Sequence, residues 1–493
     1  MYSPDLPEFI KRSERGNLVP VYREILADLE TPVSAYLKLG GRPHSFLLES
    51  VAGGEQISRY SFIGGEAFMV LKTWGRRVEV TRDGERRTYE LAEGEDPLDV
   101  LKEAMSSFKL VPDPELPPFC GGAVGYIGYD TVRFIERLPE IAVDDRGLPD
   151  CYFVFTDTLL IFDHVRHRIK VLCLAHVGDD PEAAYRRAIE KIDQLVSTLK
   201  APLPHPTQRA RGGSLGEVKS IPARAEHEAA VLKVKEYIAA GDVIQVVLSR
   251  RMEVEVTSTP FDIYRALRSI NPSPYMFLLQ FEDCQLIGAS PEILVTERAG
   301  QVVTRPIAGT IRRGKTPEED AQLEAQLLAD PKERAEHIML VDLHRNDIGR
   351  VCEYGSVRVD QLMVTEKYSH VIHIVSNVVG KLRPDKDAYD LIRATFPAGT
   401  LSGAPKIRAM EIIEELEPVR RGPYGGAIGY FSFNGNIDTA IALRTIVMQG
   451  NTAYIQAGSG IVADSDPATE YQETVDKAGA LMRAIELAEQ GLE

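Results

Sequence analysis

The chain has 493 residues, of which 44% are hydrophobic and 26% are charged, and its formal net charge at pH 7 is −16. This composition is typical of a soluble globular protein with two domains, or with one large domain and a smaller partner. The negative charge argues against a nucleic-acid-binding surface and against binding to an anionic membrane, and an anionic substrate would need a locally positive or metal-bearing site.

The cysteines and the N-terminus indicate the cellular compartment. None of the five cysteines forms a C-x-x-C pair, so we expect free thiols in a reducing compartment and no disulfide framework. Residues 1–17 lack the apolar segment of a signal peptide. No apolar run approaches the ~20 residues that a membrane-spanning helix needs. These features predict a cytoplasmic protein.

The first 200 residues are rich in short β-type runs. Strands are predicted at 45–49, 68–73, 78–81, 152–162 and 169–175. Helices are predicted at 20–29, 97–107 and 181–200. Residues 201–216 are rich in Pro, Gly and Arg and lack hydrophobic periodicity, which predicts a linker. We therefore divide the chain into an N-terminal region (1–200), a linker (201–218) and a C-terminal domain (219–493).

After the linker, helical patterns alternate with strand patterns. Helices are predicted at 223–240, 260–270, 316–329 and 330–348. Strands are predicted at 243–247, 275–280, 285–290, 375–379, 440–448 and 452–457. The whole pattern predicts an α/β fold of the α+β type, with large, mainly antiparallel sheets packed against helices.

Two glycine-rich segments on either side of the linker are alike. Residues 121–126 read GGAVGY and residues 425–430 read GGAIGY. Small residues followed by an aromatic residue are typical of strands that pack close to another backbone. Unless this likeness is chance, both parts of the chain contribute strands to one body.

Two helix starts each present a pair of glutamates. Both open with Asp-Pro, at 330–331 and 466–467, which suits the N-cap and the first helical position. The pairs are Glu333 with Glu336 and Glu470 with Glu473. Residues three apart share a helix face, and on that face each pair is followed by apolar residues, so the glutamates should point inward. Four inward carboxylates need a cation between them, and oxygen ligands suit Mg²⁺. The alternative is two solvated helices, on which this spacing is common.

Other segments could bind an anionic substrate. Residues 397–406, PAGTLSGAPK, lead into a helix whose N-terminal N–H groups favour a carboxylate or phosphate, unless they form an ordinary turn and cap. Gly458 and Gly460 would let a ligand approach the backbone closely. Arg444, in an apolar segment, needs an anionic partner, which is either a structural carboxylate or the substrate. His370 and His373 face opposite sides of a regular strand, so only one can enter a given site, and a core histidine is the alternative.

Taken together, these segments resemble the chorismate-utilising enzymes, most closely the large subunits (component I) of anthranilate synthases. The resemblance runs from about residue 40 to the C-terminus and is densest after residue 223. It is carried by FLLES (46–50), GGAVGYIGYD (121–130), QVVLSRR (245–251), NPSPYMF (271–277), RPIAGTIRRG (305–314), PAGTLSGAPKIRAME (397–411) and QAGSGIVADSDPATEYQET (456–474).

Two positions distinguish members of this family. Members that add water carry a lysine where this chain has Gln245, and that basic group is not needed when neutral ammonia is the nucleophile. Members that make aminodeoxychorismate are expected to carry a nucleophilic lysine where this chain has Ala308. The resemblance therefore implies conversion of chorismate and ammonia to anthranilate and pyruvate, in tryptophan biosynthesis. The alternatives are an aminodeoxychorismate synthase large subunit and a catalytically idle amino-acid sensor.

The resemblance also implies roles for individual residues. Mg²⁺ would be held mainly by Glu336 and Glu473, with the other two glutamates in support. Glu292 would protonate the departing hydroxyl as general acid, and His373 would remove a ring proton. The other implied catalytic residues are Gln245, Thr400 and Lys477. The implied substrate-binding residues are Gly309, Thr310, Tyr424, Arg444, Gly458, Ser459 and Gly460.

The resemblance further implies an inhibitor site and a partner. FLLES and NPSPYMF match the tryptophan-inhibitor site of the family, which would be lined here by Glu49, Ser50, Pro274, Tyr275 and Met276. The sequence shows no glutaminase nucleophile, and free ammonia is scarce at neutral pH. A glutamine amidotransferase subunit is therefore the expected partner, in a heterotetramer of two large and two small subunits.

Overall fold

The computed structural model describes residues 2–51, 59–204, 215–367 and 371–492. In these ranges the α-helices are α1 Leu6–Ser13, α2 Pro32–Leu39, α3 Pro97–Ser106, α4 Pro181–Lys200, α5 Arg224–Ala240, α6 Pro260–Ile270, α7 Pro317–Ala329, α8 Pro331–Gly349, α9 Ala388–Thr395, α10 Lys406–Leu416 and α11 Pro467–Gln490. Many of them begin as the sequence predicts, with a Thr or Asp N-cap followed by proline. The N-cap side chain then accepts a hydrogen bond from a backbone N–H group of the first turn.

The described strands fall on both sides of the linker. Those before it are β1 Leu18–Leu26, β2 Ser45–Glu49, β3 Tyr60–Gly64, β4 Met69–Trp74, β5 Arg77–Arg82, β6 Glu85–Glu90, β7 Gly122–Ile127, β8 Cys151–Thr156, β9 Thr158–Asp163 and β10 Arg168–His176. Those after it are β11 Lys219–Ile221, β12 Gln245–Glu255, β13 Tyr275–Gln280, β14 Gln285–Ser290, β15 Ile293–Arg298, β16 Gln301–Thr304, β17 Ile307–Arg312, β18 Arg358–Lys367, β19 Val371–Lys381, β20 Gly403–Ala404, β21 Ala427–Ser432, β22 Ile437–Ile441, β23 Thr445–Gln449 and β24 Thr452–Ile461.

The strands form two antiparallel sheets of 12 strands each. The first sheet has the order β1-β10-β9-β3-β2-β13-β14-β23-β24-β12-β11, and β20 pairs with β12. The second has the order β17-β19-β16-β15-β22-β21-β7-β8-β4-β5-β6, and β18 pairs with β19. Each sheet takes strands from both sides of the linker, since β2 pairs with β13 and β7 pairs with β21. The predicted fold class is confirmed, whereas the division into domains stays a prediction.

The two similar glycine-rich segments are neighbours in the second sheet. Gly125 of β7 lies opposite Gly429 of β21. A Cβ atom at Gly125 would lie 1.9 Å from the carbonyl oxygen of Tyr152. Only glycine permits this close approach, so the likeness of the two segments reflects a shared packing position.

The core lies in two layers. Aromatic and aliphatic side chains fill the space between the two sheets, among them Phe119, Tyr152 and Phe281. A second buried cluster lies between the first sheet and helices α1, α2, α4, α6 and α11, and it includes Phe9 and Leu481. Helices α7 and α8 pack against β17 and β19 of the second sheet. The arrangement buries one face of each helix against a sheet.

Three sequence-based assignments are wrong. Residues 20–29, predicted as a helix, lie mainly in β1, an edge strand that tolerates Pro20 because its outer side makes only isolated bridges, to Ser3 and Leu110, within the described part of the chain. Residues 152–162, predicted as one strand, form β8 and β9, which belong to different sheets and meet at Asp157. Residues 440–448 are likewise divided between β22 and β23, because Arg444 has a φ of 47° and ends the extended conformation.

The remaining general features agree with the sequence. All five cysteines are buried and free. Among the described residues, no helix combines the length and apolar character that crossing a membrane requires. Residues 205–214 of the predicted linker and His370 lie outside the described residues.

Candidate active site

Helices α8 and α11 bring carboxylates from distant parts of the chain close together. Asp330 and Asp466 cap the two helices as predicted. Glu333 is half-buried, and its pKa is raised by burial, by Glu336 on the same helix and, more weakly, by Glu473 on α11. Because like charges raise the pKa of a carboxyl group only at short range, Glu333 of α8 and Glu473 of α11 lie within electrostatic range of each other.

The four glutamates differ in exposure. Glu470 is buried, and its Oε2 atom has no hydrogen-bond partner in the described ranges of the chain. Glu473 is exposed and pairs with Lys477 at 2.7 Å. Among the described residues, no group of three or more His, Cys, Asp or Glu side chains is arranged to hold a metal ion. The donor atoms are nonetheless all oxygens, and the unpaired buried oxygen of Glu470 is of the kind that a hard cation satisfies.

Gln245 connects the glutamates to the first sheet. It is the first residue of β12, it is buried, and its side-chain Nε2 lies 3.4 Å from Oε1 of Glu336. A Cβ atom at Gly460 would lie only 2.4 Å from this Nε2 atom. Glycine at 460 therefore makes room for the Gln245 side chain beside the acidic group.

Residues 456–461 are part of strand β24, which continues past the end of the strand predicted at 452–457. A Cβ atom at Gly458 would lie 2.9 Å from the Tyr424 hydroxyl, so this glycine accommodates the tyrosine. Alternation along the strand directs the Ser459 side chain to the opposite sheet face from Gly458 and Gly460. The Ser459 hydroxyl is buried there without a partner, so only its backbone can face the same side as the two glycines.

Glu292 is a buried acid between β14 and β15. Burial raises its pKa from 4.5 to about 8, although Thr400, Lys477 and Arg444 all favour the carboxylate. Its Oε1 atom is buried, and no described residue forms a hydrogen bond with it. At neutral pH this carboxyl group is therefore largely protonated, and it has the pKa and location of a general acid.

His373 is a buried neutral base on β19. Burial lowers its pKa to about 4, and Arg444 acts in the same direction. Its Nδ1 lies 3.2 Å from the carbonyl oxygen of Gly309 and 3.0 Å from Oγ1 of Thr310. Since a carbonyl oxygen only accepts, Nδ1 carries the proton, and the basic lone pair is on Nε2.

Removing this imidazole should lower turnover. In the variant His373→Gln, we expect kcat to fall about 100-fold, because glutamine cannot accept a proton in the reaction. In the wild type, the base is active above its pKa, so its contribution should be lost only as pH falls toward about 4. Rate profiles from roughly pH 5 to pH 9 check both results, and an inflection near the ordinary histidine value would contradict this assignment.

Three more predicted residues surround Glu292. Arg444 influences the pKa of both Glu292 and His373, which places its guanidinium near both groups. Lys477, one turn after Glu473 on α11, donates to the carbonyl of Gly458 at 2.8 Å. Thr400 lies in the short 3₁₀ helix Gly399–Leu401 and is half-buried, with its hydroxyl oxygen buried beside Glu292. The structure thus gathers an acid, a base and two cations at one place.

Comparison with known proteins identifies the family of the chain. The sequence profile of the chorismate binding enzymes matches residues 50–483. The anthranilate synthase component 1 of Acetivibrio thermocellus is 48% identical over 495 residues, covering 99% of each chain. That of Pseudomonas putida is 48% identical over 493 residues, covering 98% of each chain. The chain belongs to the chorismate binding enzymes.

Solved structures agree with this membership. The crystal structure of anthranilate synthase component I from Streptococcus pneumoniae has a TM-score of 0.77 and 40% identity, and the match covers 93% of this chain and 98% of that one. The isochorismate synthase MenF from Escherichia coli, at 19% identity and a TM-score of 0.70, shares the fold. The predicted resemblance of this chorismate binding enzyme to anthranilate synthase large subunits is confirmed.

A cavity of about 650 Å³ lies between the two sheets of this chorismate binding enzyme. All five residues of the predicted inhibitor site line it, namely Glu49, Ser50, Pro274, Tyr275 and Met276. The Ser50 hydroxyl is buried and has no hydrogen-bond partner among the residues that the structure describes. The Glu49 carboxylate instead faces helix α6, where the Tyr264 hydroxyl and the Arg268 guanidinium donate to it. Ser50 is thus available to a ligand in the cavity, while the Glu49 carboxylate is already engaged.

The sequence reasoning missed the polar group at the opposite wall of this cavity. The Tyr275 hydroxyl donates to Oδ1 of Asp438 at 2.8 Å, and Arg298 donates to Oδ2 of the same carboxylate at 2.8 Å. Arg298 and Asp438, which the sequence reasoning missed, lie on β15 and β22 of the second sheet and carry no local motif. Their only sequence signal is a polar side chain in a strand that is otherwise largely apolar.

Proposed function

We propose that this chorismate binding enzyme is the large subunit of an anthranilate synthase, which converts chorismate and ammonia to anthranilate, pyruvate and water. This is the first committed step of tryptophan biosynthesis. The main observation in support is the meeting of a protonated Glu292 and a neutral His373 beside Arg444. Gln245 and Ala308 favour amination followed by elimination over the addition of water and over a lysine adduct.

The chain's residues divide the chemistry between them. Arg444, with Tyr424 and the backbone at Gly458–Gly460, would bind the carboxylates and the ring of the substrate. The carboxyl group of Glu292 would give its proton to the ring hydroxyl, whose C–O bond breaks as ammonia adds and water leaves. Nε2 of His373 would then take the ring proton as the enolpyruvyl C–O bond breaks, which releases pyruvate and restores aromaticity.

The glutamates of α8 and α11 are proposed to hold Mg²⁺. The buried oxygen of Glu470, which has no hydrogen-bond partner among the described residues, supports a cation between the helices, as does the pKa of Glu333, which burial and then neighbouring carboxylates raise. Glu336 and Glu473 would be the main ligands, with Glu333 and Glu470 in support. When bound, the ion would neutralise the ring carboxylate of chorismate.

Product analysis tests this proposal. The isolated chain, supplied with chorismate, an ammonium salt and Mg²⁺, should form a fluorescent aromatic amine and an equal amount of pyruvate. An amine that retains the enolpyruvyl group, with no pyruvate, would instead indicate an aminodeoxychorismate synthase large subunit. No product at all would favour an idle amino-acid sensor, which the complete set of four glutamates argues against.

We further propose that a glutamine amidotransferase subunit supplies the ammonia, in a cytoplasmic heterotetramer of two large and two small subunits. The components named in the relatives support a second subunit. Ammonium salts should support turnover by the isolated chain, whereas glutamine should not until the partner is added.

The cavity between the sheets is proposed to bind tryptophan as a feedback inhibitor. Its apolar walls suit an indole ring, and the buried Ser50 hydroxyl offers a hydrogen bond. The variant Ser50→Phe should lose inhibition by tryptophan, because the larger side chain occupies the cavity. Dose–response curves on turnover check this result.

A matched variant separates loss of the cavity from a general effect. Ser106→Phe places the same side chain on the exposed surface of α3 and should keep full sensitivity. Turnover without tryptophan is measured alongside, so that loss of inhibition is distinguished from loss of activity. Full inhibition of Ser50→Phe would contradict the placement of tryptophan in this cavity.

A further inference from the structure

Arg421 is a fully buried guanidinium behind the candidate active site. Its exposed fraction is 2%. Nε donates to Oε2 of Glu417 at 2.8 Å, and Nη2 donates to Oε1 of the same carboxylate at 2.6 Å. Nη1 donates to the carbonyl of Leu401 at 2.6 Å, and Nη2 donates to the carbonyl of Val247 at 2.8 Å. The planar fork thus joins three separate segments.

Two of the three segments that Arg421 joins lead directly to candidate site residues. Leu401 directly follows Thr400, and Val247 lies two residues after Gln245. The guanidinium carbon also lies 5.6 Å from the centre of the Tyr424 ring. One cation therefore fixes the positions of three groups that the proposed reaction uses.

The buried ion pair is held by many hydrogen bonds, since Arg421 alone donates four of them. Oε1 of Glu417 also accepts from the backbone N–H of Ser249 at 2.7 Å and from its hydroxyl at 2.9 Å. Burial lowers the pKa of Arg421, but the Glu417 carboxylate raises it by more, so the side chain stays charged. A buried pair of this kind is seldom a net source of stability, but it can define one geometry.

We propose that Arg421 is a positioning residue for the amination of chorismate, because it holds Thr400 and Tyr424 in fixed relation to β12. This inference rests on the proposed function. A lysine at this position could neutralise Glu417, but its single Nζ cannot reach both carbonyl oxygens in a planar fork. Small displacements of catalytic groups cost up to about 100-fold in rate, so the conservative variant should fold and yet turn over slowly.

The experiment compares Arg421→Lys with a matched lysine variant elsewhere. Arg393→Lys is the control, since Arg393 on α9 makes an analogous two-pronged contact with Asp96 and does not touch the site. At similar Tm, Arg421→Lys should lower kcat by about 10- to 100-fold, while the control keeps wild-type kcat. Arg421→Met, which leaves Glu417 buried without its partner, should lower Tm sharply.

Amide hydrogen exchange supplies a readout that does not depend on activity. Exchange in residues 398–404 should speed up in Arg421→Lys and not in Arg393→Lys. Wild-type kcat and unchanged exchange in Arg421→Lys would overturn the proposal while leaving the proposed function standing. If the wild type itself forms no anthranilate, the proposed function fails, and the role of Arg421 in amination fails with it.

Discussion

Replacing Glu292 by glutamine should lower kcat by about a thousandfold. The amide has the same shape but cannot give a proton to the departing hydroxyl. In the wild type, the pKa of about 8 keeps the carboxyl group protonated at pH 7. Because an acid is active below its pKa, the wild-type rate should fall as pH rises through about 8. Steady-state kinetics with ammonium as the nitrogen source check both results.

The control for this variant is Glu297→Gln. Glu297 is also buried with a raised pKa, but it accepts from the backbone of Gly300 at the end of β15. This variant should keep wild-type kcat and pH dependence. An equal loss of kcat in the two variants would show that replacing any buried carboxyl group in this region disturbs the fold. That result would contradict the role of Glu292 as the general acid.

Stability gives an independent check on Glu292. Between its ordinary pKa of 4.5 and about 8, the folded state holds a proton that the unfolded state releases. The free energy of unfolding of the wild type should therefore decrease as pH rises through this range. The variant Glu292→Gln should lack the part of this decrease that comes from the Glu292 proton. Thermal unfolding of both proteins at several pH values within the range measures the difference.

The double variant Glu336→Gln, Glu473→Gln should lose turnover by about a thousandfold or more, since a bound metal contributes several kcal/mol to stabilising charge. The amides keep the shape but cannot neutralise a cation. Adding excess Mg²⁺ should not restore the rate. Activity measured over a range of Mg²⁺ concentrations, with and without EDTA, checks this result.

Glu486→Gln is the matched control for the double variant. Glu486 also lies on α11, but its carboxylate forms an ion pair with Arg483 at 2.9 Å and is not one of the four glutamates proposed to bind Mg²⁺. Its Mg²⁺ dependence should equal that of the wild type. Turnover by the double variant at the wild-type rate would show that these carboxylates are not the metal ligands.

Much of the local structure could be predicted because it depends on neighbouring residues. The Asp-Pro starts of α8 and α11 are local capping signals, and they placed the glutamate pairs on the correct helices. Strand β2 is confirmed at 45–49 because its apolar residues are β-type and its end is marked by polar residues. The family resemblance rests on many ordered motifs and supplied the residue roles that no single pattern could.

The remaining features depend on contacts that are distant in sequence. The sequence predicts a helix at residues 20–29, where the structure has β1. Pro20 fits this strand because β1 lies at the edge of the sheet, and that position depends on tertiary contacts. The engagement of the Glu49 carboxylate by Arg268 depends on α6, which lies about two hundred residues later. Such pairings are tertiary, and local propensity does not determine them.

The most direct test of the account is whether α8 and α11 form one metal site. Isothermal calorimetry would measure Mg²⁺ binding to the wild type and to the single variants Glu336→Gln on α8 and Glu470→Gln on α11. The account predicts saturable binding to the wild type that is strongly weakened by either substitution, since each helix supplies ligands to the same ion. Undiminished Mg²⁺ binding to both variants would contradict this prediction, and so would the lack of saturable Mg²⁺ binding to the wild type.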